Sequence, residues 1–448
     1  MGPNTTIAEG AGKSLGSVQS EQRLYRKVTA RLIPFLFVCY ILSYVDRVNV
    51  GFAKLQMQQG LGMSDTVFGA GMGIFFIGYF VFEVPCNMIL QRVGARLWIG
   101  PIMIVWGLVS SSFMFVRTLL VFYLLRFLLG VVESGFFPGV VLYLTFWYPG
   151  KYRARMVAAF MSAIALSGAL GGPVAGWIMA EVSNVGGLTG WQWLFVLEGI
   201  PSVLVGIVAM FYLDDGPQQA EWLPPAEREF LAQRIAEDEA IKRRRGYFHH
   251  TLADAFKSPQ VWLLCLVYFG IMMGNYFVSF WMPQLIKDAF SRDPWQIGII
   301  SMIPWGFGAL AMIYWGHHSD ITGERPWHLA SALVVAVFFL VLSGLQGMPC
   351  VLGIAILAFA TAGIMSSIST FWALPTGILS GPAAAVGIAW INSIGNLGGF
   401  VSPYMVGSIR DKTSNPIYPA LVVATACSIA ALLVLVVTRK QNRSQATA

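Results

Sequence analysis

The sequence predicts an all-α membrane protein of twelve transmembrane helices in two six-helix, pseudo-symmetric bundles. Three observations predict it. Of the 448 residues, 56% are hydrophobic and 11% charged, and the mean hydropathy of +0.66 lies outside the range of soluble globular domains. A hydrocarbon layer of about 30 Å needs roughly 20 apolar residues per helical span, and about twelve such stretches occur, near 30–51, 67–90, 97–116, 118–147, 154–180, 191–213, 260–286, 296–316, 328–346, 350–376, 383–409 and 418–437. Finally, one long polar segment divides these stretches six and six.

Taken in order, residues 1–29 read as a cytoplasmic tail. Residues 1–20 are polar and Gly/Ser-rich, read as disordered, and lack the charged-then-apolar order of a secretory signal. The first bundle is expected over 30–213, with span 1 as the insertion signal. Residues 214–258 form a cytoplasmic central loop, in which Phe230, Leu231 and Ile235 recur at helical spacing among mixed charges, as in a short amphipathic helix within a linker. The second bundle follows over 259–437. It contains the stretch Pro326–Ile409, which holds no Asp, Glu, Lys or Arg. Residues 438–448 form a basic C-terminal tail.

Orientation follows from the basic residues. They cluster before span 1 (Arg23, Arg26, Lys27, Arg31), between spans 2 and 3 (Arg92, Arg96), between spans 4 and 5 (Lys151, Arg153, Arg155), in the central loop and at the end (Arg439, Lys440, Arg443). Alternate loops hold few or balanced charges. The positive-inside rule then places both termini in the cytoplasm. The net charge of +7 reports topology and attraction to anionic lipid, not nucleic-acid binding. The five cysteines stand singly in apolar segments, without disulfide or metal spacing, and read as small buried hydrophobes. No metal and no cofactor are expected.

The informative residues are the charges inside the spans. Asp46 and Arg47 interrupt span 1 in the run YVDRVN, Glu83 lies in span 2, and Arg126 and Glu133 lie in span 4. Each costs about 2.5–3.5 kcal/mol at a helix centre, so each must find a partner or a water-filled cavity. The second half has no counterpart: about 226 residues beyond Asp46 stand Met272 and Met273. Arg126 and Glu133 share one helix face, roughly 10 Å apart along the axis. Asp46 and Arg47 point about 100° apart and cannot satisfy each other. Their partners are therefore expected from neighbouring spans, span 4 supplying one acid and one base. A buried ion-pair network is one reading. The other is that Arg47 or Arg126 binds an anion while Asp46 and Glu133 exchange protons. Glu83, near the cytoplasmic end of span 2, reads as a gate or structural pairing.

An enzyme would need a nucleophile and base or metal ligands near the midplane. The histidines, His249, His250, His317, His318 and His328, lie in loops or at span ends, and no H-E-x-x-H occurs.

The halves echo one another. NMILQRVGAR (Asn87–Arg96) follows span 2, and GHHSDITGER (Gly316–Arg325) follows span 8. Six spans duplicated in parallel resemble the major facilitator superfamily, whose substrate site lies at the midplane between the bundles. Its turn motif, Gly-x-x-x-Asp-Arg-x-Gly-Arg, is kept at Gly316 and Asp320, whereas the first copy has Gln91 where Asp is usual. Arg92, Arg96, Asp320 and Arg325 are the expected gating residues. YVDRVN, RFLLGVVESGFFPG with FWYP after it, FFIGYFVFEVPCNMIL and GWQWLFVLEGIPS closely resemble the anion:cation symporter family, nearest to bacterial permeases for tartrate, phthalate and 4-hydroxyphenylacetate.

The resemblance implies proton-coupled uptake of an organic carboxylate by alternating access across a bacterial inner membrane, by a chain functional as a monomer, with protons and the bilayer as its other partners. It assigns proton coupling to Asp46 and Glu133. Substrate binding falls to Arg47, Arg126, Tyr44, Tyr79, Trp372, Asn392 and Ser369, with Arg126 paired to the acid below it. Where the family's sugar-acid carriers place a Gln in span 5, this chain has Ile164, which disfavours a hydroxyl-rich hexonate. A tartrate-like hydroxy acid and an aromatic acid remain as substrates. An uncoupled carboxylate facilitator and a non-transporting anion sensor on the same scaffold are the rival functions.

Overall fold

The structure, a computed structural model, describes residues 18–94, 96–244, 258–345, 347–378, 382–413 and 415–446. The first half contains α1 (Val18–Val48), α2 (Val50–Gly60), α3 (Asp65–Val93), α4 (Arg96–Ser111), α5 (Leu119–Glu133), α6 (Phe136–Thr145), α7 (Gly150–Met161), α8 (Ala163–Glu181) and α9 (Gly190–Tyr212). After α10 (Pro225–Arg244) come α11 (Pro259–Ala289), α12 (Pro294–Thr322), α13 (Arg325–Ser343), α14 (Cys350–Phe371), α15 (Ala373–Ile378), α16 (Pro382–Asn396), α17 (Gly398–Thr413) and α18 (Ile417–Ala446). Spans 1, 4 and 5 are the pairs α1–α2, α5–α6 and α7–α8, and spans 10 and 11 are α14–α15 and α16–α17. Eleven helical runs among the described residues are long and apolar enough to cross a membrane. Span 11 completes the twelve as two helices of 15 and 16 residues.

The interruptions of spans 4 and 5 recur in spans 10 and 11 across the duplication, whereas that of span 1 has no counterpart in the unbroken α11. In span 4, Pro138 has no N–H for the carbonyl of Ser134, so α5 stops at Glu133 and α6 restarts at Phe136. Side chains add donors around the break: Trp98 Nε1 donates to Gly135 O at 3.0 Å, beside the Gly139 amide, and Ser134 Oγ donates to Val131 O at 2.7 Å, as a membrane interior favours. Span 10 likewise pauses at Trp372 before Pro375, and spans 5 and 11 pause at Ser162 and Leu397.

The bundles meet along two seams built from glycine. Between spans 5 and 8, a methyl on Gly172 would strike Ser301 Oγ, and one on Gly176 would lie 2.5 Å from Pro294 O. Between spans 2 and 11, a methyl on Gly69 would strike Pro403 O, and one on Gly73 would lie 2.8 Å from Phe400 O. Backbones this close require the absent side chain.

Three expectations change in detail. Residues 18–29 are helical and continue into span 1, because Leu24, Tyr25 and Val28 are buried and Tyr25 packs on Tyr152 at 4.3 Å; residues 1–17 lie outside the described residues. The amphipathic helix of the central loop forms as α10 but is docked: Leu231 is buried, Trp222 stacks on Trp147, and Lys27 meets Glu227 at 2.8 Å. Residues 245–257 of that loop lie outside the described residues. Four cysteines are buried, whereas Cys350, first residue of α14, is exposed.

Candidate functional site

At the centre, between the bundles, lies a cavity of about 50 Å³ whose walls include Arg47, Tyr44, Tyr79, Ile164, Tyr276, Asn392 and Asn396. Its one charged wall is anchored behind. Arg47 donates through Nη2 and Nε to Glu133 Oε2 at 2.9 and 3.2 Å, and Ser43 Oγ adds a contact at 3.5 Å. Glu133 is fully buried, and its Oε1 has no hydrogen-bond partner. Because α5 ends at Glu133, the Arg47 cation also stands at a helix C-terminus, where positive charge is favoured. Its guanidinium lies 5.2 Å from the Phe75 ring centre and 5.3 Å from that of Tyr79.

Span 4 supplies Arg47's partner but not Asp46's. Asp46 turns the other way, into the first bundle, and accepts from Ser202 Oγ at 2.6 Å, Ser110 Oγ at 2.7 Å and Trp106 Nε1 at 3.2 Å. Three donors from spans 3 and 6 thus compensate its burial. Arg126 does not pair with the acid below it either: its Nε donates to Gly71 O at 3.2 Å and its Nη2 to Met72 O at 3.4 Å, and it packs on Phe75 with 5.1 Å to the ring centre. Two helical turns are too long for contact with Glu133.

The second bundle contributes a polar chain. Tyr276 Oη donates to Asn396 Oδ1 (2.9 Å), Asn396 Nδ2 to Asn392 Oδ1 (3.2 Å), and Asn392 Nδ2 to Glu83 Oε1 (3.4 Å) across the interface. Ser393 Oγ donates to the other Glu83 oxygen at 2.6 Å. The Tyr44 and Ser279 hydroxyls meet between the bundles at 3.2 Å. Trp372 stands behind the wall, against Tyr268 at 4.9 Å. Ser369 Oγ donates to Ser366 O at 2.9 Å and Met312 O at 3.4 Å, away from the cavity.

Of the expected gating residues, Arg96, Asp320 and Arg325 make contacts inside their own bundles. Arg92 is exposed. Arg96 donates through Nε and Nη2 to Met210 O, at 3.1 Å each. Asp320 and Arg325 approach at 3.8 Å, and Arg325 Nη1 donates to Ala373 O at 3.1 Å. The strong inter-bundle contacts lie at the opposite end, away from the described ends of α1 and α18. There Arg410 Nε meets Asp65 Oδ2 at 2.9 Å and Lys54 Nζ meets Gln284 Oε1 at 3.0 Å across the interface, while Arg410 Nη2 meets Asp288 Oδ2 at 2.7 Å and Lys54 Nζ meets Asp65 Oδ1 at 2.8 Å within their own bundles. Asp411 accepts the Asp65 and Thr66 amides at 3.0 and 2.7 Å, so an acid of one bundle docks on a helix N-terminus of the other. Partial burial opposes the Asp411 charge, but these amides hold the carboxyl below its ordinary range. A cavity of about 750 Å³ adjoins this clamp and not the central charges; Asp65, Asp288, Phe290, Arg410 and Pro416 are among its walls.

Two buried charges escaped the sequence reading. Lys54 lies just past the expected end of span 1, although an unbroken helical pattern through Gly60 could have revealed it. Glu198 stands openly within GWQWLFVLEGIPS, and an acid in an apolar run was the available signal.

Two bundles of paired helices around a midplane cavity with a buried cation define a membrane transporter rather than an enzyme. The chain belongs to the Major Facilitator Superfamily, whose family pattern matches residues 36–403. It is 46% identical over 420 residues to a protein of Agrobacterium vitis provisionally named a tartrate transporter, covering 94% of this chain and 95% of that one. It is 44% identical over 406 residues to the provisionally named metabolite transport protein NicT of Pseudomonas putida, covering 91% and 92%. In fold it is similar to a bacterial homologue of the human lysosomal transporter Spinster, solved inward-facing and occupied, with a TM-score of 0.73 at 16% identity over 92% of this chain and 97% of that one.

Proposed function

We propose that this transporter takes up a small organic carboxylate together with protons, by alternating access, as a monomer in a bacterial inner membrane with both termini cytoplasmic. One observation carries the reading: Arg47, the charged wall of the central cavity, is held by a fully buried Glu133 with one oxygen unpartnered. A buried ion pair that loses one partner leaves a costly uncompensated charge, about 3–5 kcal/mol. Adding a proton to Glu133 therefore favours an anion at Arg47, and losing the substrate favours return of the Glu133 charge. Substrate and proton then travel together. Asp46, the other proposed proton-coupling acid, is tied to spans 3 and 6, so its protonation acts on the position of span 1 and on Arg47 beside it.

The cavity of about 50 Å³ is far below the roughly 300–1,000 Å³ of ligand pockets, so loading requires the bundles to part. Tyrosine hydroxyls and the Asn392–Asn396 amides suit the uncharged body of the acid, and Ile164 leaves the span 5 wall apolar. Relatives named for tartrate support a hydroxy-dicarboxylate, such as tartrate, as the first substrate to try. Uptake of labelled tartrate, phthalate, 4-hydroxyphenylacetate and galactonate into proteoliposomes, with and without an inside-alkaline gradient, tests this. One acid should accumulate above equilibrium only with the gradient. Identical equilibration in both conditions would remove the proton roles.

A further inference from the structure

Beside the central cavity lies a second, smaller chamber of about 20 Å³, enough for roughly one water. Glu198 of span 6 and Asn49 of span 1 line it, together with Ser279, Ser301 and Trp305 of the second bundle. Glu198 is 5% exposed and Asn49 2%. No hydrogen bond of ordinary geometry reaches either carboxyl oxygen of Glu198 or either amide atom of Asn49, although the Asn49 amide faces the Glu198 carboxyl. The charges on the helices packed against α9 are all engaged or distant. Span 1 presents Asp46, which accepts from Ser202 one turn along α9 from Glu198. Lys54 is paired with Asp65, and Arg47 with Glu133. Arg96 of α4 binds Met210, three turns further along α9. On span 5, Glu181 closes α8, and Lys151, Arg153 and Arg155 lie at the opposite end, on the first turns of α7.

An ionised carboxylate here would have the Asn49 amide as its nearby donor and no cation to balance it, beside the Asp46 acid, which costs several kcal/mol. A neutral acid costs far less. The chamber also has the access a coupling site needs. Its outer wall is the span 5–span 8 seam, where a methyl on Gly168 would strike the Trp305 ring and one on Gly172 the Ser301 hydroxyl. Separation of those spans uncovers Glu198, and their closure seals it.

We infer that Glu198 is a further proton-binding acid of this transporter, loaded when spans 5 and 8 part and sealed, as the neutral acid, when they close. The proton bonds to a Glu198 oxygen on loading and leaves from it on release, so each cycle carries one more proton than Glu133 alone provides.

The transport readout rests on the proton-symport reading above, so the test has a second arm that does not. Accumulation in proteoliposomes is measured at zero membrane potential and one pH unit of gradient, where each coupled proton contributes about tenfold. Glu198→Gln should accumulate about tenfold less than the parent, and Glu198→Asp, which keeps an acid, should accumulate as the parent does. Equal accumulation by the parent and Glu198→Gln overturns the inference, as does accumulation that follows a sodium gradient and vanishes in Glu198→Gln. Infrared spectra of the purified protein form the second arm. A carboxylic-acid carbonyl band present at neutral pH in the parent and absent from Glu198→Gln supports the sealed neutral acid at Glu198 independently of the transport readout. Superimposable spectra overturn it, and melting temperatures confirm that the variants are folded.

Discussion

Arg410→Ala should release the clamp that joins the bundles. The arginine is mostly shielded, with 16% of its side chain exposed, and its partner Asp65 has 15% exposed; Asp288 has 41% exposed. Truncating one member of a desolvated, hydrogen-bonded charge pair costs about 2–5 kcal/mol, whereas an exposed pair contributes about 0–1. Counting the Asp65 contact at the low end of the first range and neglecting the Asp288 contact gives about 2 kcal/mol, or roughly a 30-fold shift toward the clamp-open state. Ser279→Cys in a Cys350→Ser background provides the reporter, because Ser279 is buried against Tyr44 between the bundles. With opening fast relative to labelling, the alkylation rate follows the open population, and Arg410→Ala should raise it about 30-fold. Arg410→Lys should fall between, since an ammonium cannot span two carboxylates as the guanidinium fork does. A rate within threefold of the parent would refute the reasoning.

Gly172→Leu overpacks the span 5–span 8 seam against Ser301 and Gly298, a cost of about 1–3 kcal/mol; the same reporter should label roughly 5- to 150-fold faster. Glu133→Gln imitates the protonated acid, so substrate exchange should persist while gradient-driven accumulation falls, about tenfold per pH unit at zero membrane potential; accumulation equal to the parent's would remove Glu133 from coupling. Ile164→Gln places an amide on the cavity wall, and uptake of galactonate relative to tartrate should rise about fivefold, equivalent to one net hydrogen bond of about 1 kcal/mol.

The architecture was legible because span length, basic loops and the six-and-six division are imposed by the bilayer on composition itself. The buried quartet was legible for the same reason: a charge in hydrocarbon stands out. Partner choice was not. Arg126 and Glu133 share a face, but the seven-residue spacing left open whether a third element would intervene, and the carbonyls of Gly71 and Met72 take the arginine. The inter-bundle clamp was hidden because Asp65, Asp288 and Arg410 sit at span ends, where charges are ordinary, and only the tertiary arrangement turns them inward. Trp372 and Ser369 came from resemblance alone, and in this conformation both stand outside the central cavity's wall.

The two halves share a backbone plan, including matched interruptions in spans 4 and 10 and in spans 5 and 11, yet divide the chemistry unequally. The first bundle holds the charges that a carboxylate and a proton would compete for. The second offers neutral amides and aromatic rings, of which Asn392 reaches Glu83 across the interface. This asymmetry has a physical consequence for rocking. A charged substrate held by Arg47 stays with the first bundle, while the second bundle makes and breaks neutral contacts that cost about 1 kcal/mol each rather than the several of a buried ion pair. The clamp is the exception, and each of its charges has a second partner in its own bundle: when Arg410 and Asp65 part, Arg410 keeps Asp288 and Asp65 keeps Lys54. The strong ion pairs are thus kept inside one moving body or backed by a partner within it, whereas Glu83, held by Ser393 and Asn392 of the other bundle, is a buried acid whose contacts must change as the bundles rock.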